Sequence, residues 1–113
     1  MTMRRFILEM GAGNDLHGGD YTKAAIRAVH DALHHSSLGF ARALGRDSSA
    51  MHVKVTIGVQ APERVDAAAV ESELPRGQVT VQVVHGGLDV DDDSGTDPAV
   101  IASAAIEVWM DVP

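Results

Sequence analysis

Cysteine is absent from this 113-residue chain, so it has no disulfide framework, no thiolate metal site and no cysteine nucleophile. Long apolar runs are missing as well. After Met1-Thr2-Met3-Arg4-Arg5 the apolar stretch Phe6-Ile7-Leu8 stops at Glu9, too short for the core of a secretory signal, and nowhere do about 18 to 20 apolar residues follow one another. The expectation is a soluble cytoplasmic protein without a membrane partner. Basic charge is scarce, with 9 lysines and arginines against 16 aspartates and glutamates and a net charge of -7, whereas a nucleic-acid binder needs a basic face. Nucleic acid is therefore not an expected partner. With 45% hydrophobic residues, a chain this long buries roughly two-thirds of its unfolded surface around one core, which predicts a single domain over residues 1–113.

Two periodicities alternate along that domain. Residues 4–10 read as a strand, and a glycine-rich turn follows from Gly11 to Gly19. Asp20 is placed to cap a helix from about Tyr21 to Ser36, with Ile26, Val29 and Leu33 at core spacing and Ala25, Ala28 and Ala32 permitting close approach. The helical pattern continues or restarts through Phe40, Ala41 and Leu44 before Gly45 stops it. From His52 to Gln60 the alternation is clean, Val53, Val55, Ile57 and Val59 on one side and His52, Lys54, Thr56 and Gln60 on the other. Asp66 reads as the cap of a short helix stapled by Val65 and Val70 and ended at Leu74-Pro75-Arg76-Gly77. Gln78 to Val84 is a third strand, His85 to Pro98 a polar loop, and Ala102 to Asp111 a last strand with Ala104, Ile106, Val108 and Met110 on one face.

The predicted fold class is α/β, a βαβαββ two-layer sandwich whose four-stranded mixed sheet carries both helices on one face. Its second face, with Lys54, Thr56, Gln60, Thr80, Gln82, Glu107 and Trp109, is too polar for another core layer and too β-rich to stay bare, which points to a symmetric oligomer. The element order resembles the Bacillus chorismate mutase-like fold, shared by YjgF-type deaminases; that resemblance implies a homotrimer with clefts between subunits.

The strongest local signal is Gly11-Ala12-Gly13-Asn14-Asp15-Leu16-His17-Gly18-Gly19-Asp20. Glycines between a strand and a helix admit positive φ and bring backbone N–H groups close to a ligand, and the helix N-terminus favours an anion. It is no dinucleotide fingerprint, because Leu16 stands where G-x-G-x-x-G needs its third glycine, and no Gly-Lys-Ser/Thr supplies a P-loop. Gly11, Gly13, Asp15, His17 and Gly18 fill the fixed positions of GxGxDxHG. This segment resembles the signature of a Lin-type family of small conserved hypothetical proteins. Asp20 to Val29, His52-Val53-Lys54-Val55 and Gly86-Gly87-Leu88 are similar to later landmarks of that family. The resemblance marks the turn as a site without implying a particular activity.

Within the turn, Asp15 lies two residues from His17 and is expected to orient its imidazole as a general acid or base. Both could instead ligate a divalent ion together with Asp20, His52 or a neighbouring subunit. At about 100° per residue, Lys23, Arg27, His30 and His34 form one basic flank of the helix, of which Lys23 is nearest the turn. His30 and His34 have the i, i+4 spacing of zinc helices but lack the glutamate of H-E-x-x-H, and the aspartates Asp89, Asp91 and Asp93 match calcium-loop positions until Ser94 and Val100 break the pattern. No metal is therefore assigned and the cofactor is left unknown. The expected catalytic residues are Asp15, His17 and Lys23, and the expected ligand-binding residues are Gly11, Gly13, Gly18 and Lys54. The expected partner is a small polar or anionic metabolite, held where the turn meets the polar sheet face of an adjacent subunit. Cyanuric acid hydrolases and barbiturases, built from three domains of similar element order, make ring-amide hydrolysis a candidate chemistry, though their lysine–serine pairs have no counterpart motif here. Two readings stay open: a hydrolase or lyase, and a non-catalytic metabolite- or metal-binding oligomer or subunit of a larger assembly.

Overall fold

Alternation along two strands builds the core of the computed structural model, which describes residues 2–34, 51–74 and 78–112. In strand β2 (Met51–Val59) the residues Met51, Val53, Val55, Ile57 and Val59 are buried, and in strand β5 (Ala99–Val112) so are Val100, Ala102, Ala104, Ile106 and Val108. Each strand presents its odd or even members to the same side, as the period of two demands. Strand β1 (Thr2–Asp15) runs antiparallel to β5, which runs antiparallel to β2, and β2 is parallel to strand β3 (Gln78–His85). The sheet order is β1-β5-β2-β3.

Helix α1 (Tyr21–His34) covers one face of this sheet, capped as expected by Asp20, whose Oδ1 accepts the Lys23 amide at 3.0 Å. Its buried stripe is mostly alanine: Ala24, Ala25, Ala28 and Ala32, with Val29. Small residues on the helix meet small residues below. A Cβ on Gly11 would fall 2.4 Å from the Ala32 nitrogen, and one on Gly13 would fall 2.3 Å from the Ala28 nitrogen. A 3-10 turn (Pro62–Arg64) and helix α2 (Ala67–Glu71) complete the β2–β3 crossover, with Asp66 accepting the Ala69 amide at 3.2 Å and Val70 fully buried.

Three expectations change. The segment from Gly11 to Asp15 belongs to β1 and not to the turn, because glycine backbone continues the ladder as far as the Asp15–Val100 pair. The polar loop after β3 contains an additional short strand, β4 (Leu88–Val90), paired with β5 from Leu88–Ile101 to Val90–Ala99. It occupies the column that β2 vacates after Gly58, and Gly87, with φ +63° and its α-carbon packed close to the Ile101 carbonyl, makes that entry possible. The element order is thus strand, helix, strand, helix and three strands, in place of βαβαββ, and the sheet has five strands in place of four. The expected end of the first helix at Ser36, its continuation through Phe40 to Gly45, and the stop at 75–77 lie outside the described residues.

The close seat of α1 on β1 yields a stability prediction. Gly13→Ala is expected to cost about 1–3 kcal/mol, the usual penalty of overpacking, since the clash is with backbone that no side-chain rotation relieves. Gly58→Ala, whose Cβ would sit 3.5 Å from Gly86, is the control expected to leave the urea midpoint nearly unchanged.

Candidate functional site

The site region lies where β1 ends, α1 begins and the Asp91–Pro98 loop returns to β5. Asp15 on β1 and Asp89 on β4 are both register partners of Val100, one on each side of β5. Directly paired residues share a face, so the two carboxylates flank buried Val100 beneath the first turn of α1, roughly 10 Å apart across the sheet.

Asp15 is 4% exposed. Its Oδ2 accepts the Asp20 amide at 2.9 Å, and its Oδ1 faces Arg27 at 3.7 Å and Lys23 at 4.0 Å. Arg27 also donates to the Asn14 carbonyl at 2.7 Å. A buried carboxylate between two cations and a backbone donor is compensated and firmly placed. Across Val100, the Tyr21 hydroxyl donates a hydrogen bond to Oδ2 of Asp89, while Oδ1 of Asp89 is buried without a hydrogen-bond partner among the described residues. The Arg64 guanidinium lies 4.9 Å above the Tyr21 ring centre.

His17 behaves differently. The chain leaves the ladder after Asp15, and the bend through Gly18 (φ +94°) and Gly19 (φ +58°) sends the imidazole out to solvent. The expected Asp15–His17 pair is not made; the partner of His17 is Asp97, whose Oδ2 lies 3.0 Å from Nδ1. Asp97 also accepts the Gly18 amide at 2.7 Å, which engages a backbone donor expected to be open to a ligand. Asp92 braces the loop from within by accepting from Ser94 and from the Thr96 and Asp97 amides.

The remaining expected site residues separate. Gly11 and Gly13 face the α1 backbone, so the space a ligand would need at their α-carbons is already filled. The basic flank divides: Lys23 and Arg27 turn to Asp15, whereas His30 meets Glu73 at 3.1 Å. Lys54 lies on the opposite face of the sheet, beside Glu107 and Thr80 in the ladder, with His52, Trp109 and Met3 around a shallow groove of about 300 Å³. Along β5 the Asp15 and Lys54 registers, at Val100 and Glu107, are seven residue steps or roughly 23 Å apart, so one chain does not bring them together. Among the described residues no group of three or more histidine, aspartate or glutamate side chains is arranged to hold a metal ion, and no helix is long and apolar enough to cross a membrane. Sequence reasoning missed the roles of Tyr21 and Asp97. The single tyrosine of the chain at the first position of a capped helix was a usable hint, but nothing local announces a partner eighty residues away.

A family model described as Conserved hypothetical protein (Lin0512_fam) matches residues 5–108. The chain belongs to the Lin0512 family. Among solved structures, an FtsZ-like protein of unknown function from Nostoc punctiforme PCC 73102 is similar at 35% identity and a TM-score of 0.83, with 99% of each chain covered. No curated protein matches. The family member described here therefore has an FtsZ-like open mixed sheet with flanking helices. That finding and the observed element order overturn the expected chorismate mutase-like fold, and the trimer inferred from it loses that support.

Two titrations probe the region. The hydrogen bond to Asp89, then burial, hold the Tyr21 phenol above its ordinary value of 10.0. A raised folded-state value means that the stabilisation is complete below the unfolded value and is lost as pH rises through the folded one. Phenolate absorbance of this sole tyrosine should appear above the ordinary range, and Asp89→Asn should move it back towards 10.0. The Gly18 amide, then His17, hold Asp97 below 3.8. That contribution is present above the unfolded value and is lost as pH falls through the folded one. The Gly18 amide resonance should report a midpoint below 3.8, and Asp97→Asn should abolish the step.

Proposed function

We propose that this protein acts on a small polar or anionic metabolite at the junction of the Leu16–Asp20 turn and the Asp91–Pro98 loop, with His17 as the proton-transfer group of a hydrolase or lyase. One observation carries the reading: Nδ1 of His17 is held 3.0 Å from Asp97 while 87% of the side chain is open to solvent. A carboxylate at Nδ1 favours the tautomer with its proton there and leaves the Nε2 lone pair free to take a proton from water or substrate. Asp97 is steadied by the Gly18 amide and Asp92, so the ring has a defined orientation before any ligand arrives.

In this reading the GxGxDxHG positions divide the work. Gly11 and Gly13 let α1 approach β1, Asp15 receives the amide that begins the helix, and His17 with Gly18 meets the loop. Asp15 is then a positioning residue and Asp97 the one that orients His17. Lys23, half-exposed on the first turn of α1, supplies positive charge for an anionic substrate group. The second reading, a non-catalytic binding protein, is favoured by the exposure of His17, since proton transfer in enzymes gains from exclusion of water.

The test is a titration of isotope-labelled protein with citrate and barbituric acid, probes of carboxylate and cyclic-amide chemistry, followed at the His17 imidazole and paired with a turnover assay. A probe that shifts the His17 resonances and is turned over, with a loss of at least about 100-fold in His17→Gln and Asp97→Asn, is the expected result. Shifts without turnover select the binding reading. Turnover that His17→Gln leaves intact removes His17 from the chemistry.

A further inference from the structure

Strand β1 forms one edge of the sheet: β5 pairs with one side of it, and among the described residues no strand pairs with the other, where alternate residues turn their backbone N–H and C=O outward and only towards the end of the strand, at the Ala12 amide and the Asn14 carbonyl, do Asp31 and Arg27 engage them. Edges left open are usually short, charged or covered, because an unpaired ladder recruits another strand. This one is long and carries four of the seven exposed large apolar side chains among the described residues: Met3, Phe6, Leu8 and Met10, from 38% to 63% exposed. Two of its charged residues, Arg4 and Glu9, make no ion pair with another described residue. Arg5, by contrast, is tied to Glu107 at 3.4 Å.

A register shift between Arg5 and Ile7 decides which faces these residues share. Arg4 is opposite Met110, and Glu9 opposite Ile106, both on the helix-covered side; Met3, Arg5, Leu8 and Met10 are opposite Asp111, Trp109, Glu107 and Ala105 on the bare side. In a regular strand, residues five apart point to opposite faces. The bulge places Arg4 and Glu9 on the same face, and likewise Arg5 with Leu8. Antiparallel pairing of β1 with β1 of an identical chain, about a two-fold axis between Phe6 and Ile7, therefore sets like faces together. It puts Arg4 opposite Glu9 on one side of the joined sheet and Met3 opposite Met10 on the other, each twice by symmetry.

We infer that the β1 edge is the docking surface for a second copy of this chain, forming a two-fold dimer with one continuous sheet. Its specificity comes from the reciprocal Arg4–Glu9 pairs, and its apolar contact from Met3, Leu8 and Met10. The expected result of sedimentation equilibrium on the full chain is a dimer. Arg4→Glu and Glu9→Arg singly place like charges opposite each other and are expected to raise the dimer dissociation constant at least about tenfold, whereas the double swap returns it to within about threefold of the parent. Circular dichroism of each variant verifies the fold. A monomeric or trimeric parent overturns the inference, as do single variants that dimerise like the parent or a double swap that fails to restore the dimer. Because the parent and the double swap preserve the charge balance, they decide the matter even where a single variant is poorly folded.

Discussion

The approach of α1 to within glycine distance of β1 is the constraint on which the site depends. Gly11 and Gly13 have no side chain because the backbone around Ala28 and Ala32 occupies that space, and the alanine stripe of the helix keeps its own side of the contact thin. This shallow packing sets the height of the helix above the sheet. Its N-terminal amide then reaches Asp15 and its Tyr21 hydroxyl reaches Asp89, on either side of Val100. A bulkier pair of strand residues would lift the helix and separate these partners together.

Above that frame the polar groups fall into two classes. Asp15 and Asp89 are embedded and answer to α1; His17 and Asp97 are peripheral and tie the turn to the loop. The second pair leaves the Nε2 of an exposed imidazole accessible to a small molecule, which is why the chemistry proposed for the turn centres there. The acidic loop is less a cation trap than a braced arm, since Asp92 is consumed by its own hydroxyl and amide donors while Asp97 is delivered to the turn.

The far side of the sheet obeys a different logic. Its ladder rows mix Lys54, Thr56 and Glu107 with Leu8, Met10 and Trp109, neither polar enough for a solvated face nor apolar enough for a second core. The long β1 edge borders this face, and the bulge that flips residue parity along β1 also makes the edge complementary to itself.

Local chemistry was legible from the chain alone. The alternation of β2 and β5 and the caps at Asp20 and Asp66 are short-range patterns, and a period of two or an N-cap needs only a few neighbours to be recognised. The partners across the fold were decided by tertiary structure. Gly11 and Gly13 read as ligand-facing because a missing Cβ tells only that something comes close, not whether it is a ligand or a helix. His17 was matched to Asp15, its neighbour in sequence, but the bend at Gly18 and Gly19 parts them and brings in Asp97 from eighty residues on. Lys54 lies on the polar sheet face that its alternation implies, but only the ladder register shows how far along the sheet it stands from the turn of its own chain. Sequence determines which groups are available and which local geometry each prefers; which two of them meet depends on strand register and chain reversal, set by the packing of the whole domain.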